Sequence, residues 1–409
     1  MKKQHSWPEG HWNWPIEVTH KHGVRCGDMI WIGGQVNLTP DGVVLNPGDL
    51  AAQTVAVADN IGRVLADFGA GLDDLVYLNA FYVNDGTVVE ADFLQSIAAC
   101  LPPGARTAIT PVPVAWLAYD GMLVEIEAYA MRGADGAALP REYAPATVAD
   151  GRPSRFCSAL RCGKMIFVSA QSPLDGAGEL QGEGDIVAQS RQVAANLRAA
   201  LEHFGADFDD VVKTNRWYCG ADGIDDFEPA ALDFAANFSE PGPAATGIPI
   251  PRHADARELI RIAVIAMLGE NGERLPRRHV WPDSLWDWHV HLPYKHGLKC
   301  DNMIFLGGQV SLDKQGQAVH PEDLSRQTHQ AMAHIGTILG ELGAGYDDVC
   351  KVMTVYKGDC GAAALNDNLP IRSSYFSDPG PATTGVPLPV LAYEGMCVEI
   401  DIYAMADPD

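Results

Sequence analysis

The chain has 409 residues, nearly half of them apolar and one in five charged, the profile of a folded protein too long for a single core. Its net charge of −24 argues against partners that need clustered Lys and Arg, namely nucleic acid and anionic membrane surfaces. No apolar run reaches the roughly 18 residues of a membrane span, and the opening MKKQHSWPEGHWNW lacks the apolar core of a signal peptide, so a cytoplasmic protein is expected.

In chain order, a mostly apolar strand is expected at 29–36, entered through a Cys-Gly-Asp turn. Between 50 and 68 the positions Val57, Ile61, Val64, Leu65 and Phe68 recur at helical spacing, and the following GAG stops the helix. The β-branched and aromatic stretch 75–83 reads as a second strand. A shorter helix from about 88 to 100 leads through PPG into 107–114, and 122–131 alternates Leu123, Ile126 and Ala128 against Glu125 and Glu127. The layout expected is β-β-α-β-α-β, an α+β module with its helices packed on one face of the sheet.

This module is written three times. MIWIGGQVNL at Met29 returns as MIFVSAQSPL at Met165 and MIFLGGQVSL at Met303. DFGAGLDDLVYLNAFYV at Asp67 returns at His203 and Glu341, and closing strands of one pattern end at Met131, Met267 and Met405. The domains expected are 1–131, 153–267 and 285–409, joined by Gly-, Pro- and charge-rich linkers at 132–152 and 268–284 that carry no core. A sheet covered on one face leaves the other exposed. Three such modules around a pseudo-threefold axis would cover one another and create three clefts, where ligand sites preferentially form. Cys26, Cys162 and Cys300 occupy one repeat position and read as half-buried packing residues.

The order GGQ strand, helix opening A-Q-T, strand opening D-D-L-V, loop G-A-R-T and final strand V-E-I-E-A resembles the RidA (YjgF) family of enamine/imine deaminases. The resemblance covers each module nearly whole. It implies a chorismate-mutase-like α+β fold and, because family members assemble as homotrimers with sites between subunits, an intramolecular pseudo-trimer here. A monomer or homodimer is then expected in preference to a homotrimer. By the same resemblance Arg106 matches the arginine that holds a substrate carboxylate, with Ala245 and Thr383 standing at that place in modules two and three. Glu125 and Glu399 match the glutamate that positions water, where module two has Arg261. Tyr294 matches an aromatic cleft residue, with His20 and Phe156 as counterparts. Gly34 and Gly308 match a glycine that offers its backbone to substrate, with Ala170 in module two. Module two departs at the arginine, the glutamate and the glycine and reads as scaffold. Tyr294 is the expected partner of Arg106.

Modules one and three also share elements outside that pattern. Trp12 and Trp14, then His22, correspond to Trp286 and Trp288, then His296. Aromatics spaced i, i+2 lie on one side of an extended segment, bracing it or walling a pocket, and the histidines are candidate acid/base or hydrogen-bonding groups. Histidines are dense in module three (His289, His291, His296, His320, His329 and His334), but no metal-ligand helix motif or dinucleotide fingerprint occurs, and neither metal nor cofactor is expected. The leading expectation is a hydrolytic deaminase of a small carboxylated imine, enamine or related C–N substrate, with Arg106 on the carboxylate and Glu125 on water. The alternatives are a hydrolase of a cyclic or aromatic C–N substrate using the Trp/His elements of modules one and three, and a non-catalytic metabolite-binding or interaction protein.

Overall fold

The computed structural model describes residues 1–145, 148, 151–219 and 224–408. Module one contains β1 (Lys3–Ser6), β2 (Gly23–Cys26), β3 (Met29–Gln35), α1 (Leu50–Asp67), β4 (Leu75–Val83), α2 (Glu90–Cys100), β5 (Ala108–Val114) and β6 (Val124–Met131). Module two contains β7 (Arg141–Tyr143), β8 (Ala159–Cys162), β9 (Met165–Gln171), α3 (Ile186–Glu202), β10 (Val211–Cys219), α4 (Ile224–Ala235), β11 (Ala244–Ile250) and β12 (Ile260–Met267). Module three contains β13 (Arg277–Val280), β14 (Gly297–Cys300), β15 (Met303–Leu306), α5 (Leu324–Glu341), β16 (Val349–Lys357), α6 (Ala363–Ser373), β17 (Ala382–Leu388) and β18 (Val398–Met405).

Each module builds one six-stranded sheet, in the order β1-β2-β3-β6-β4-β5 for module one. The β4–β5 pair is parallel because α2 carries the chain back across the sheet; the other pairs are antiparallel. The long helices start at equivalent caps, where Asp49, Asp185 and Asp323 accept backbone N–H groups of the first turn. Their apolar stripes, such as Val57, Ile61, Val64 and Leu65 in α1, face the sheet as the periodicity indicates.

The layout is richer than the expected β-β-α-β-α-β by two strands per module. The stretch after PPG is a full strand, and a short edge strand opens each sheet. Two of those edge strands, β7 and β13, come from the segments read as linkers and pair with β8 and β14. KQHS, REY and RRHV carry no apolar alternation because an edge strand is hydrogen-bonded on one side only, so periodicity does not reveal them. Residues 146, 147, 149 and 150 of the first expected linker lie outside the described residues.

The modules close a ring, as the pseudo-trimer reading requires. Parallel bridges Thr107↔Phe156, Ala244↔Lys295 and Lys21↔Ala382 join module one to two, two to three, and three to one. At two junctions strands approach so closely that a Cβ on Gly33 would lie 2.4 Å from the Thr383 carbonyl oxygen, and one on Gly307 would lie 2.7 Å from that of Ala245. The faces away from the helices form one shared core, in which Trp31 and Tyr129 of module one, Phe167 of module two, and Phe305 and Tyr403 of module three are all buried. This is the mutual cover that three one-sided sheets need.

Candidate active site

Strand pairing fixes which residues reach each cleft. Tyr77 pairs with Ala108, Lys213 with Ala244, and Lys351 with Ala382, so these three alanines are equivalent. Counting back, Arg106 lines up with Gly242 and Gly380, whereas Ala245 and Thr383 correspond to Ile109. The match of Arg106 to Ala245 and Thr383 is therefore shifted by three residues, the extra loop length of module one having been placed on the wrong side of the arginine. Module one still carries the only arginine at this position.

At the junction of modules one and three, β6 presents Glu125 toward β17 and α6. The Glu125 carboxyl packs over Gly34, where an added Cβ would lie 1.8 Å from Oε1, so glycine is what allows the carboxylate to fold back on the strand. Burial raises its pKa to about 8, against a smaller opposing pull from Lys351. Facing it is Arg372, fully buried on α6. Its Nε donates to Asn368 Oδ1 (2.9 Å) and its Nη1 to Thr383 Oγ1 (3.1 Å), while Nη2 is buried with no hydrogen-bond partner among the described residues. Burial lowers the Arg372 pKa to about 10, which leaves it cationic at neutral pH. The hydroxyls of Tyr119 and Tyr356 are also buried without hydrogen-bond partners among the described residues.

Glu125, Gly34, Tyr119 and Arg372 line a tight cleft of about 30 Å³, walled by Trp12, Trp14, Leu365 and Leu369. Behind it, Lys351 pairs with Glu127 (2.6 Å) and donates to Thr384 Oγ1 (2.5 Å), which accepts the Gly34 N–H (2.9 Å). This buried chain locks the two modules together and fixes the backbone beneath Glu125.

The junction of modules two and three repeats much of this. Burial raises the pKa of Glu399 to about 8, and its Oε1 would lie 1.9 Å from a Cβ on Gly308. Lys213 pairs with Asp401 (2.9 Å) and donates to Thr246 Oγ1 (2.6 Å), which accepts the Gly308 N–H (3.0 Å). Tyr294 belongs here, its ring beneath the Arg216 guanidinium at 5.3 Å. It is therefore not the partner of Arg106, because the aromatic residue before β14 faces the module that supplies β11.

The junction of modules one and two is built differently. Arg261 takes the glutamate position and is saturated by Glu90 (2.9 Å) and Glu258 (2.6 Å), with the Tyr82 hydroxyl donating to Glu90 (2.8 Å). Phe156 bridges this junction, and Ala170 replaces the glycine. Arg106 is half-buried nearby, over the Tyr143 ring at 4.7 Å. Arg106 and Glu125 consequently stand at different junctions: the strand that follows Arg106 faces module two, whereas Glu125 faces module three.

The Trp/His elements act as paired clips. His22 Nε2 meets the Trp12 carbonyl at 3.0 Å and Trp12 Nε1 donates to Gln35 (3.0 Å); His296, Trp286 and Gln309 repeat this at 3.1 and 3.3 Å. Burial lowers the pKa of His22 to about 2 and of His296 to about 3, so both rings are held neutral. His20, likewise lowered to about 3 by burial, contacts the Pro381 carbonyl at 3.2 Å. Trp12 and Trp14 thus both brace their segment and wall the cleft, whereas Trp288 packs against the cores of both module two and module three. Among the described residues no three His, Cys, Asp or Glu side chains gather as a metal site.

Arg372 is the site residue that motif matching misses, since it lies in no repeated motif. Its one signal is periodicity: Leu365, Asn368, Leu369 and Arg372 form the buried stripe of α6 at i, i+3, i+4 and i+7, and an arginine on such a stripe must have a buried reason to be there.

Geometry of this kind defines a class of protein, a single-chain ring of three α+β modules with a cleft at the junction of modules one and three. Residues 15–132, 150–268 and 288–406 each match the Endoribonuclease L-PSP family, and the chain belongs to that family, the RidA (YjgF) family, as three modules in one polypeptide. A RutC family protein of Pyrococcus abyssi is 36% identical over 95 residues, which span 23% of this chain and 72% of the relative. The 2-iminobutanoate/2-iminopropanoate deaminase of Mus musculus is 27% identical over 116 residues, 28% of this chain and 83% of that enzyme. A crystal structure of chorismatase matches 81% of this chain and 93% of its own with a TM-score of 0.53 at 13% identity, a likeness of fold. No helix among the described residues is long and apolar enough to cross a membrane.

Proposed function

We propose that the cleft between modules one and three is the active site of a hydrolytic deaminase or related C–N hydrolase acting on a carboxylated imine or enamine. The observation that carries this reading is the pairing of a buried, unpartnered Arg372 Nη2 with the buried Glu125 carboxyl in one cleft. A buried guanidinium with a free donor has a strong preference for a carboxylate. A carboxylic acid with a pKa near 8 is protonated at neutral pH and can serve first as acid and then as base.

In the proposed reaction Glu125 gives its proton to the imine nitrogen as water adds to the carbon, and takes a proton from that water. The product is a neutral carbinolamine. Glu125 then shuttles the hydroxyl proton to the nitrogen, the C–N bond breaks, ammonia leaves and a carbonyl forms, so the overall change is addition of one water and loss of one ammonia. Trp12, Trp14, Leu365 and Leu369 give the cleft an apolar wall and leave it narrow, which favours a small carboxylated substrate.

The test is ammonia release from freshly generated 2-imino acids with small and aromatic side chains, and from cyclic amides. Arg372→Met and Glu125→Gln are each expected to lower kcat/KM by about 100-fold or more, with Arg106→Ala close to the parent. Retained activity in Arg372→Met, or loss in Arg106→Ala with the fold intact, would overturn the assignment. No release by the parent protein on any substrate would favour a binding role.

A further inference from the structure

We propose that Cys26 and Cys350 are a modification site, a peroxide-oxidised pair whose disulfide closes the ring covalently at the junction of modules three and one. Linkers carry the chain across the other two junctions, so this is the seam that the polypeptide itself leaves open.

Strand register brings the pair together. In module one β1 sets Lys3 opposite Cys26, and the Lys3 ammonium reaches over the junction to donate to the carbonyl of Val349, the residue before Cys350 (2.9 Å). β2 packs against β16, and the two thiols hydrogen-bond each other within the shared core. The junction of modules two and three repeats this geometry without the second cysteine. Arg277 lies opposite Cys300 and donates to the Val211 carbonyl (2.9 Å), and the next residue, at the place of Cys350, is Val212. In module one that place is held by Val76, while Arg141 lies opposite Cys162. Valine therefore satisfies the packing at two junctions, and cysteine replaces it at the one that no linker crosses.

The surroundings make Cys26 the attacking sulfur. The Cys350 hydrogen bond lowers its pKa, with the N-terminal ammonium and Lys3 adding to this against the effect of burial. Burial instead raises the pKa of Cys162, Cys300 and Cys350. Gly27, beside Cys26, borders an open cavity of about 430 Å³ together with Met1, Lys2 and Asp407, and opening of the short edge strand β1 admits a small peroxide from there. The Cys26 thiolate attacks one peroxide oxygen, the O–O bond breaks, and the departing hydroxide takes up a proton to leave as water. Cys350 sulfur then attacks the sulfenic acid on Cys26, the S–S bond forms, the S–O bond breaks, and the second hydroxide leaves as water with the Cys350 proton. Two thiols lose two electrons and two protons, and the peroxide is reduced to two waters.

The test is treatment of the full chain with hydrogen peroxide, followed by alkylation of the remaining thiols and peptide mapping. A Cys26–Cys350 cross-link is expected, together with a rise in the denaturation midpoint that dithiothreitol reverses, because the bond closes most of the chain into one loop. Cys350→Val, which installs the residue native to the other two modules, should keep the fold and abolish both the cross-link and the rise. Cys162→Ala should leave the cross-link in place. Recovery of Cys350 as a free thiol, or bonded to any other cysteine, would overturn the pair, and a cross-linked chain with an unmoved midpoint would overturn its ring-closing role.

Discussion

The junction of modules one and two and the junction of modules one and three share a backbone and a strand register, yet one is a brace and the other a cleft. The difference lies mainly at one position of the closing strand, Arg261 in the first and Glu125 in the second. Arg261 finds two carboxylates, one of them from the neighbouring module, and is left with an ion-paired guanidinium. Glu125 is buried, makes no ion pair among the described residues, and faces a guanidinium with a donor to spare. Stability has been built into one junction, and an unsatisfied, chemically usable pair into the other.

Removing the brace is the largest effect expected. Arg261→Met leaves Glu90 and Glu258 without their common cation, and breaking a buried pair in this way costs about 3–5 kcal/mol. Chemical denaturation should report that loss, while the activity of the remaining folded protein stays near the parent's. A cost below about 1 kcal/mol would show that the network is solvated and that the junction is held by apolar contact alone.

Exchanging the residue beneath the closing strand sharpens the comparison. Gly34→Ala drives a methyl group into Glu125, which must swing away from its position. Activity should fall at least about tenfold for a stability change of about 1–3 kcal/mol. Ala170→Gly, the reverse change at the braced junction, should leave activity unaltered and cost no more than about 1 kcal/mol of stability. Equal kinetic effects from the two would remove the distinction between the junctions.

The contrast also bears on what the sequence made legible. The repeat, the long helices and the central strands follow from periodicity and recurrence, because their faces are buried continuously. Met29, Met165 and Met303 announce the same strand three times. The edge strands around Lys3, Arg141 and Arg277 escape notice since they bury little. Glu125, Gly34, Trp12 and Trp14 were legible as candidates and do share a cleft. That Arg106 lies at another junction, and that Arg372 faces Glu125, was not legible. Both depend on which module neighbours which face, a fact of ring closure that no single module encodes.

The last prediction concerns Glu125 itself and changes with pH. Its folded pKa, about 8, lies above the ordinary carboxyl value of 4.5, so between these values the folded state binds a proton that the unfolded chain has released. Stability contributed by this group is therefore present below the lower value and lost progressively as pH rises toward 8. Glu125→Gln removes the ionisable group and keeps the shape. It should leave stability nearly unchanged at pH 4 and raise it by up to about 4 kcal/mol at pH 8.5 relative to the parent. Denaturant melts at the two pH values check this, and a difference of the opposite sign would mean that Glu125 is ionised in the resting protein and paired with Arg372. In that case it could act only as a base toward water, and the proton given to the leaving nitrogen would have to come from Tyr119 or Tyr356.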